Sequence, residues 1–151
     1  CWPTIHEKEP NAVLNVCGGG ADDALLKLMN HTAGVNALGF VDDLEAIMQK
    51  SRCAIVPLRF GSGMKIKTFD ALYRGLPLIT TTTGAEGIEL ENKKHAYIVD
   101  EPNAFAETVI SVLNDTDTAT TTRDQGRSIC RERYSYASML QGMLEDIRSI
   151  H

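Results

Sequence analysis

The sequence has no apolar run that approaches the roughly 20 residues a helix needs to span a membrane. It also has no basic and apolar leader at its start, so no signal segment is predicted. The first residue is Cys1, and the chain opens in the middle of a pattern, which we interpret as an excised piece of a longer protein. We therefore expect no spanning membrane segment in this chain.

Clustered metal ligands are also missing. The four cysteines stand far apart, with no C-x-x-C spacing and no histidine at a metal-ligand spacing, so no metal site is predicted. Cys17 and Cys53 lie within apolar, strand-like runs, so we expect buried, reduced thiols and a reducing, cytoplasmic compartment. The other two cysteines are Cys1 and Cys130.

An excess of basic residues is the third absence. The chain has 15 Lys and Arg against 20 Asp and Glu, which gives a formal net charge of -5. Because a nucleic-acid binder needs a basic face, we expect no nucleic acid partner. A small anionic ligand remains compatible, since a few amides and lysines suffice to hold it. The length of 151 residues suits one domain with a core of its own.

Strand-like apolar runs alternate with helix-like stretches along the chain. The run CAIVPL at 53–58 is continuously apolar, which is typical of a parallel strand covered on both faces. Asp42 or Asp43 is the expected cap of one helix, and Pro102 begins another. Five alternations with short connections predict a parallel α/β sheet with right-handed crossovers. The predicted strands cover 12–18, 34–40, 53–58, 76–81 and 95–100; the predicted helices cover 21–30, 41–52, 64–74 and 102–114, with one or two more in 118–151 and a break at 133–136; the threonine-rich 116–123 is interpreted as a surface linker.

A glycine-rich loop follows the third predicted strand, in the stretch FGSGMKIKTFDALYRG at 60–75. Ligands of open parallel sheets bind beyond the carboxyl ends of the strands. Small residues at 61–63 let the backbone approach such a ligand closely. The predicted helix would direct its free N–H groups and positive dipole end at the same space, which suits a diphosphate. In the alternative interpretation, the glycines serve only the turn between the strand and the helix, and the loop binds no phosphate.

Three charged side chains follow the loop. Lys65 and Lys67 add positive charge, but residues two apart on a helix do not share a face, so we expect only one of them to be a direct ligand. Asp70 stands where a carboxylate could accept hydrogen bonds from a ribose. The alternative interpretation places both lysines in solvent.

A second glycine-containing turn, TTTGAEGIE at 81–89, follows the fourth predicted strand at the same edge of the sheet. Gly84 and Gly87 allow another close backbone approach, and Glu86 between them either faces the ligand or caps a short helix. Trp2 is predicted to be a packing anchor. The histidines stand in polar contexts and are predicted to be exposed and without a role: His6, His31, His95 and His151.

The stretch LGFVDDLEAIMQKSRCAIVPLRFGSGMKIKTFDALYRGLPLITTTTGAEGI at 38–88 resembles the C-terminal half of retaining glycosyltransferases of family 4, which have the GT-B fold. Four motifs stand in family order: G-F-V-D, P-L-x-x-G-x-G-x-K-x-K, A-L-x-x-G-x-P and G-A-E-G. The resemblance extends from about Trp2 to Asn114. It implies a Rossmann-like parallel sheet flanked by helices, one half of a GT-B fold in which two such domains face each other across a cleft.

The resemblance also implies donor-binding roles. Asp70 matches the second glutamate of the family's Glu-x7-Glu signature, which grips the ribose hydroxyls. Ser62 stands where the first glutamate would touch the donor sugar. Both residues depart from the family pattern, and glycine-rich members of the group often lack the first glutamate. The remaining implied donor-binding residues are Gly61, Gly63, Met64 and Lys65 at the diphosphate turn, Lys67 as a possible diphosphate stabiliser, Phe40 and Val41 beside the base, and Glu86.

The resemblance implies that residues 1–151 form the C-terminal donor-binding domain, with the N-terminal acceptor domain absent. The implied reaction transfers a glycosyl group from a nucleotide-diphosphate sugar, UDP- or GDP-linked, to a polysaccharide, lipid or glycoconjugate acceptor. It needs no metal or other cofactor, because helix-end amides and basic side chains stabilise the leaving diphosphate. The family's Arg and Lys pair has no counterpart here, so we expect the isolated domain to be inactive. The missing domain could also hold the protein at the inner face of the membrane.

Three alternatives remain at this stage. A sugar-nucleotide epimerase would need acid and base residues that the sequence does not show. A regulatory nucleotide-binding α/β module of the receiver type would need an acidic cluster at strand ends, whereas Asp42 and Asp43 stand at a helix start. A degenerate enzyme without catalysis is compatible with Ser62 and Asp70.

Overall fold

The computed structural model of the chain describes residues 1–61 and 65–134. Within these ranges the chain forms an α/β fold of parallel strands flanked by helices, as predicted. The strands are β1 (Leu14–Cys17), β2 (Val35–Gly39), β3 (Ala54–Val56), β4 (Leu78–Thr80) and β5 (Tyr97–Ile98). The helices are α1 (Trp2–Lys8), α2 (Asp23–Asn30), α3 (Leu44–Gln49), α4 (Ile66–Tyr73), α5 (Thr82–Ala85), α6 (Pro102–Asn114) and α7 (Thr116–Arg133).

The strands divide between two parallel sheets rather than one. β1 pairs with β2, and β4 lies between β3 and β5 in the second sheet. The predicted parallel α/β fold class is confirmed, and in the described residues no strand pairing joins β1 to β3. β4 is buried at all three positions, as expected for a central strand covered on both faces.

Acidic residues cap the N-termini of four helices. Asp43 accepts a hydrogen bond from the amide of Ala46 at 2.9 Å, so Asp43 rather than Asp42 caps α3. Glu101 caps α6 by accepting from the amide of Ala104 at 2.7 Å, and Pro102 occupies the first turn as predicted. Asp22 and Asp115 cap α2 and α7 in the same way.

Two buried apolar clusters lie on the sheet formed by β3, β4 and β5. The first joins α1, β4 and α6, with Ile5 and Ile79 at 1% and 0% exposure. The second joins β3, β4, α4 and α7 through residues such as Leu72, Leu78 and Cys130. Full burial of one such Leu or Ile side chain contributes about 1.5–3 kcal/mol. These clusters fix α4, which carries much of the predicted site, against the sheet.

The ends of the chain differ most from the sequence predictions. α1 was not predicted, although the packing role of Trp2 is confirmed: its indole N–H donates to the carbonyl of Ala33 at 2.8 Å. The predicted threonine-rich linker at 116–123 is wrong, because these residues form the first turns of α7. Ala119 and Thr122 are buried there, at 5% and 2% exposure, and this tertiary packing outweighs the low helix propensity of threonine.

His95 was predicted to be exposed and is buried instead, at 7% exposure. Its Nδ1 atom accepts the amide N–H of Glu91 at 3.1 Å, which folds the side chain under the turn at 91–95. Cys130 is fully buried and Cys53 is half-buried, and burial raises the pKa of each thiol to about 11. No helix in the described part of the chain combines the length and apolar character needed to cross a bilayer.

Candidate functional site

Two loops and the end of β5 meet at one edge of the second sheet. Because β3, β4 and β5 are parallel, their carboxyl ends lie on the same side. Residues 57–61 follow β3, and Lys65 precedes α4. α5 and its C-terminal turn follow β4, and Asp100 follows β5 shortly afterwards. This is the edge at which open parallel sheets bind ligands.

Threonine hydroxyls hold the two loops together. The hydroxyl of Thr81, just after β4, donates to the carbonyl of Leu58, just after β3. Thr68 on α4 donates to the carbonyl of Gly84 at 2.7 Å and is itself fully buried. Each bond satisfies a buried polar group and joins two segments that are distant in sequence. The start of α4 is therefore fixed relative to both loops.

Gly84 and Gly87 serve different purposes in the turn after β4. A Cβ atom at Gly84 would lie 2.2 Å from the hydroxyl oxygen of Thr80 and 2.9 Å from the carbonyl oxygen of Val56. Gly84 therefore lets α5 pack closely on the strand ends. Gly87 has a φ of +76°, which favours glycine, and an added Cβ would meet nothing within 4 Å. Only Gly87 leaves open space for a ligand to approach its backbone.

Lys65 is the most unusual side chain of this edge. It immediately precedes α4, and its residue is only 5% exposed. Its ammonium group donates to the carbonyl of Gly61 at 2.7 Å and lies 3.5 Å from a carboxylate oxygen of Glu86. The Glu86 side chain is 62% exposed. A buried ammonium is costly unless negative charge lies beside it, and the Glu86 carboxylate supplies that charge here.

The first turn of α4 adds further donors. Among the described residues, no side chain caps this end of the helix. Lys67 lies in the first turn and is exposed, whereas Asp70 is half-buried. Within residues 1–61 and 65–134, neither side chain makes a hydrogen bond or ion pair.

Phe40 and Val41 follow β2, in the other sheet. Phe40 is 82% exposed, and Val41 is half-buried. In the described ranges no hydrogen bond or ion pair joins either residue to Lys65, Asp70 or Glu86. Their predicted place beside a nucleotide base therefore stays a prediction.

The family model for glycosyl transferases group 1 matches residues 1–115. The chain belongs to this family. An uncharacterized 44.6 kDa protein in the cps region of Klebsiella pneumoniae is 25% identical over 117 residues, which cover 72% of this chain and 30% of that protein. The chain thus spans less than a third of the length of the curated relative that it matches.

Several solved structures have a fold similar to that of this chain from the glycosyl transferases group 1 family. Anabaena HepE, in complex with UDP and glucose, superposes with a TM-score of 0.82 at 15% identity, over 98% of this chain and 43% of HepE. The C-terminal domain of the group 1 family protein LpcC from Francisella tularensis gives a TM-score of 0.74 at 14% identity, over 87% of this chain and 74% of that domain. These likenesses confirm the predicted Rossmann-like half of a GT-B fold.

The structure brings together part of the site predicted for this group 1 domain. Gly61, Lys65 and Glu86 meet around the Lys65 ammonium. The predicted helix at 64–74 begins two residues later than expected, at Ile66, so Lys65 precedes the helix and Lys67 lies within it. Ser62, Gly63 and Met64 lie outside the described residues, and their predicted contacts with a diphosphate and sugar stay predictions.

Sequence reasoning missed the role of Asp100 at this edge. Its carboxylate accepts hydrogen bonds from the backbone N–H of Thr82 at 2.8 Å and from the Thr82 hydroxyl at 2.6 Å. These bonds hold the pKa of Asp100 below its usual range. The available signal was an acidic residue at the end of a predicted strand, beside the threonines that follow β4. Asp100 positions the start of α5, and through it Glu86.

Two surface grooves lie away from this edge. One, of 270 Å³, is lined by Glu45, Arg74 and residues at the starts of β4 and α7. The other, of 590 Å³, lies between the 89–95 segment and α7. Neither is lined by Lys65 or Glu86. Among the described residues, no group of three or more His, Cys, Asp or Glu side chains gathers as a metal site would require.

Proposed function

We propose that this chain is the donor-binding part of a glycosyltransferase and holds a nucleotide-diphosphate sugar at the carboxyl edge of β3 and β4. The observation that carries the proposal is the buried Lys65 ammonium, 3.5 Å from Glu86 and directly before a helix start without a side-chain cap. A diphosphate fits this arrangement because its charge compensates the buried cation and its oxygens accept helix-end N–H groups. The family match and the UDP bound to HepE support the same ligand class.

Each charged residue has a proposed role. Lys65 meets the diphosphate, because its burial keeps the charge in a fixed place and weakens competition from water. Lys67 is exposed in the first turn of α4 and contributes a longer-range, salt-sensitive attraction. Asp70, half-buried one turn further along, accepts hydrogen bonds from the ribose hydroxyls. Glu86 orients Lys65 through their ion pair.

The proposed chemistry is electrostatic. As the bond between the sugar and the diphosphate breaks, negative charge grows on the leaving group. A positive side chain and helix-end N–H groups that are already in place stabilise this charge without reorganising. The mechanism assigns no step to a metal. We further propose that the acceptor binds to a second domain and that residues 1–151 alone transfer no sugar; a measurable transfer rate from UDP- or GDP-glucose would contradict this.

The compartment is also a proposal. All four cysteines are free thiols, which fits a reducing environment such as the cytoplasm. Nucleotide-sugar binding at this edge does not require any other location.

The experiment is a thermal unfolding titration with UDP, GDP and ADP, with uridine as the ligand that lacks the diphosphate. A nucleotide at 100 times its Kd stabilises the folded state by about 2.7 kcal/mol, which corresponds to a Tm increase of about 5–10 °C for a domain of this size. One diphosphate should give this shift, and uridine should not. If UDP, GDP and ADP all leave the Tm unchanged, the proposal is wrong.

Matched lysine variants test which positive charge contributes to diphosphate binding. Lys65→Met should abolish the ligand-induced shift, and Lys67→Met should reduce it, most clearly at low salt. Lys27→Met, an exposed lysine in the last turn of α2, is the control and should leave the shift intact. The shift is compared with each variant's own ligand-free Tm, so that a stability change is not mistaken for lost binding.

A further inference from the structure

Tyr134, at the end of α7, contacts two separate segments of the candidate site. Its ring packs edge-to-face on Phe69 of α4, with 6.0 Å between the ring centroids and 86° between the ring planes. Its hydroxyl oxygen accepts the backbone N–H of Glu89 at 3.0 Å. Its own backbone N–H donates to the carbonyl of Cys130, which continues the helical bonding of α7 to this residue. The side chain therefore extends from the end of a helix that is buried along one face.

Both contacts lie close to residues of the proposed donor site. Phe69 directly precedes Asp70 on α4. Glu89 stands three residues after Glu86, whose carboxylate lies beside Lys65. We call residues 86–89 the Glu86 segment. Tyr134 thus joins the Glu86 segment to α4, and these two elements carry Glu86, which is paired with Lys65, and Asp70, which is proposed to bind the ribose.

The Glu86 segment has little local structure to hold it. It begins at the C-terminal end of α5, a helix of only four residues, and turns at Gly87 with a positive φ. The amide of Ile88 donates to the carbonyl of Ala85 at 3.2 Å. The next amide, that of Glu89, bonds to Tyr134 rather than to a nearby backbone carbonyl. The position of this segment therefore depends on a contact with a distant part of the chain.

Among the described residues, the side chains of Arg133 in α7 and of Tyr134 directly after it reach Glu89, and they differ in what they contribute. Arg133 forms an ion pair with the Glu89 carboxylate, but these side chains are 57% and 73% exposed. Exposed pairs of this kind contribute little and weaken with salt. Tyr134 is half-buried, and its ring is held against Phe69, so its hydroxyl is fixed in direction. The hydrogen bond from Glu89 to Tyr134 is therefore the contact that sets the position of the segment.

We propose that Tyr134 is a positioning residue for the nucleotide site: it fixes the Glu86 segment relative to α4 and so keeps Glu86 against Lys65. The expected effect on binding rests on the proposed function. It is that a fixed Lys65 binds a diphosphate more tightly than a mobile one. Ordering such groups before the ligand arrives removes part of the entropic cost of binding.

The test compares Tyr134→Phe with Tyr73→Phe. Tyr73 also stacks on Phe69, with 6.1 Å between the ring centroids. Within the described residues its hydroxyl has no hydrogen bond. Both variants keep an aromatic ring and lose one hydroxyl, so both are expected to fold. Three readouts apply: amide exchange of Glu89, acylation of Lys65 relative to Lys27 by mass spectrometry, and UDP affinity.

In the Tyr134→Phe variant, the Glu89 amide should exchange about fivefold faster than in the wild type, and Lys65 should be acylated about fivefold faster. This factor corresponds to the loss of one neutral hydrogen bond. The Tyr134→Phe variant should bind UDP several-fold more weakly, and Tyr73→Phe should match the wild type in all three measurements. Unchanged exchange and acylation in Tyr134→Phe would overturn the positioning role. The positioning role would also be overturned if the Glu89 amide of the wild-type chain exchanged as fast as the amides of exposed loops. That measurement needs no variant.

The two proposals fail separately. A wild-type chain that binds none of the diphosphates overturns the donor-binding proposal, and exchange and acylation still decide whether Tyr134 fixes the segment. Conversely, a wild-type chain that binds UDP, with a Tyr134→Phe variant that behaves like Tyr73→Phe, removes only the positioning role.

Discussion

The ammonium group of Lys65 and the carboxylate of Glu86 lie 3.5 Å apart, although one precedes α4 and the other follows α5. The lysine side chain is 4% exposed and the glutamate side chain 62% exposed. The cation is therefore fixed within the protein while its partner faces solvent.

Glu86→Gln should weaken the binding of UDP several-fold, because the neutral amide holds the Lys65 ammonium in place less firmly than the carboxylate does. The effect on stability should stay below about 1 kcal/mol, since the carboxylate is largely exposed. Isothermal titration calorimetry at low and high salt measures the affinity. Glu91→Gln, which removes an equal charge from the partner of Lys94, is the control. Stronger binding in Glu86→Gln would instead indicate that Glu86 competes with the diphosphate for Lys65.

Gly126→Ala should destabilise the fold. A Cβ atom there would lie 2.4 Å from the carbonyl oxygen of His95 and 2.8 Å from a methyl group of Leu72. Overpacking of this kind costs about 1–3 kcal/mol and opposes the gain of about 1 kcal/mol that Gly→Ala brings in an unobstructed helix. Urea unfolding measures the difference, with the exposed neighbour Gln125→Ala as control. A Gly126→Ala chain as stable as the wild type would show that α7 can move away from β5.

Stability should fall as the pH drops through about 6.5, the ordinary pKa of histidine. Burial is the main cause that lowers the pKa of His95, with Lys94 acting in the same direction and Glu91 opposing them. Below pH 6.5 the unfolded chain therefore binds the proton more readily than the folded one, and the loss continues until the pH passes the lowered folded pKa. The slope for one proton is at most about 1.4 kcal/mol per pH unit.

His95→Asn tests this assignment, since asparagine keeps a hydrogen-bonding side chain without the titration. Its unfolding free energy should change less than that of the wild type between pH 7.5 and 5.5. The matched variant is His31→Asn at the exposed end of α2, which should leave the wild-type slope in place. Equal slopes in His95→Asn and the wild type would rule out His95 as the source.

Cys53 and Cys130 should resist alkylation in the native protein at pH 8. Burial raises the pKa of both thiols to about 11, so the reactive thiolate is scarce at that pH. Cys1 is exposed and should react first. Mass spectrometry after a timed iodoacetamide reaction gives the order, and the same reaction in urea gives the fully accessible reference. Native reaction of Cys53 or Cys130 at the rate of Cys1 would contradict the packing described for them.

Features with local causes were predictable from the sequence. The cap at Asp43 and the helix start at Pro102 depend on a few adjacent residues, and both are confirmed. The alternation of apolar strands with helices gave the α/β class for the same reason. The threonine-rich start of α7 was mispredicted because its helix depends on burial of Ala119 and Thr122 against distant elements, which local propensity does not report.

The candidate site was predictable in place but not in detail. Gly61 and the two lysines lie at the carboxyl edge of β3 and β4, where the sequence predicted them, and ligand binding there stays a proposal. Which lysine is buried depends on the residue at which α4 begins, and boundaries of elements are the hardest feature to predict from sequence. The link from Asp100 to Thr82 and the link from Tyr134 to Glu89 join residues 18 and 45 positions apart, so no local pattern indicates them.

The division of the strands between two sheets has a consequence for handling the isolated chain. Among the described residues only β4 has a strand on both sides, and β1, β2 and β3 each have one edge without a neighbouring strand, where backbone donors and acceptors have no strand partner. Such edges can recruit strands from other molecules and lead to self-association. Concentrated samples should therefore form oligomers before dilute ones do, and light scattering across a dilution series should accompany every ligand titration.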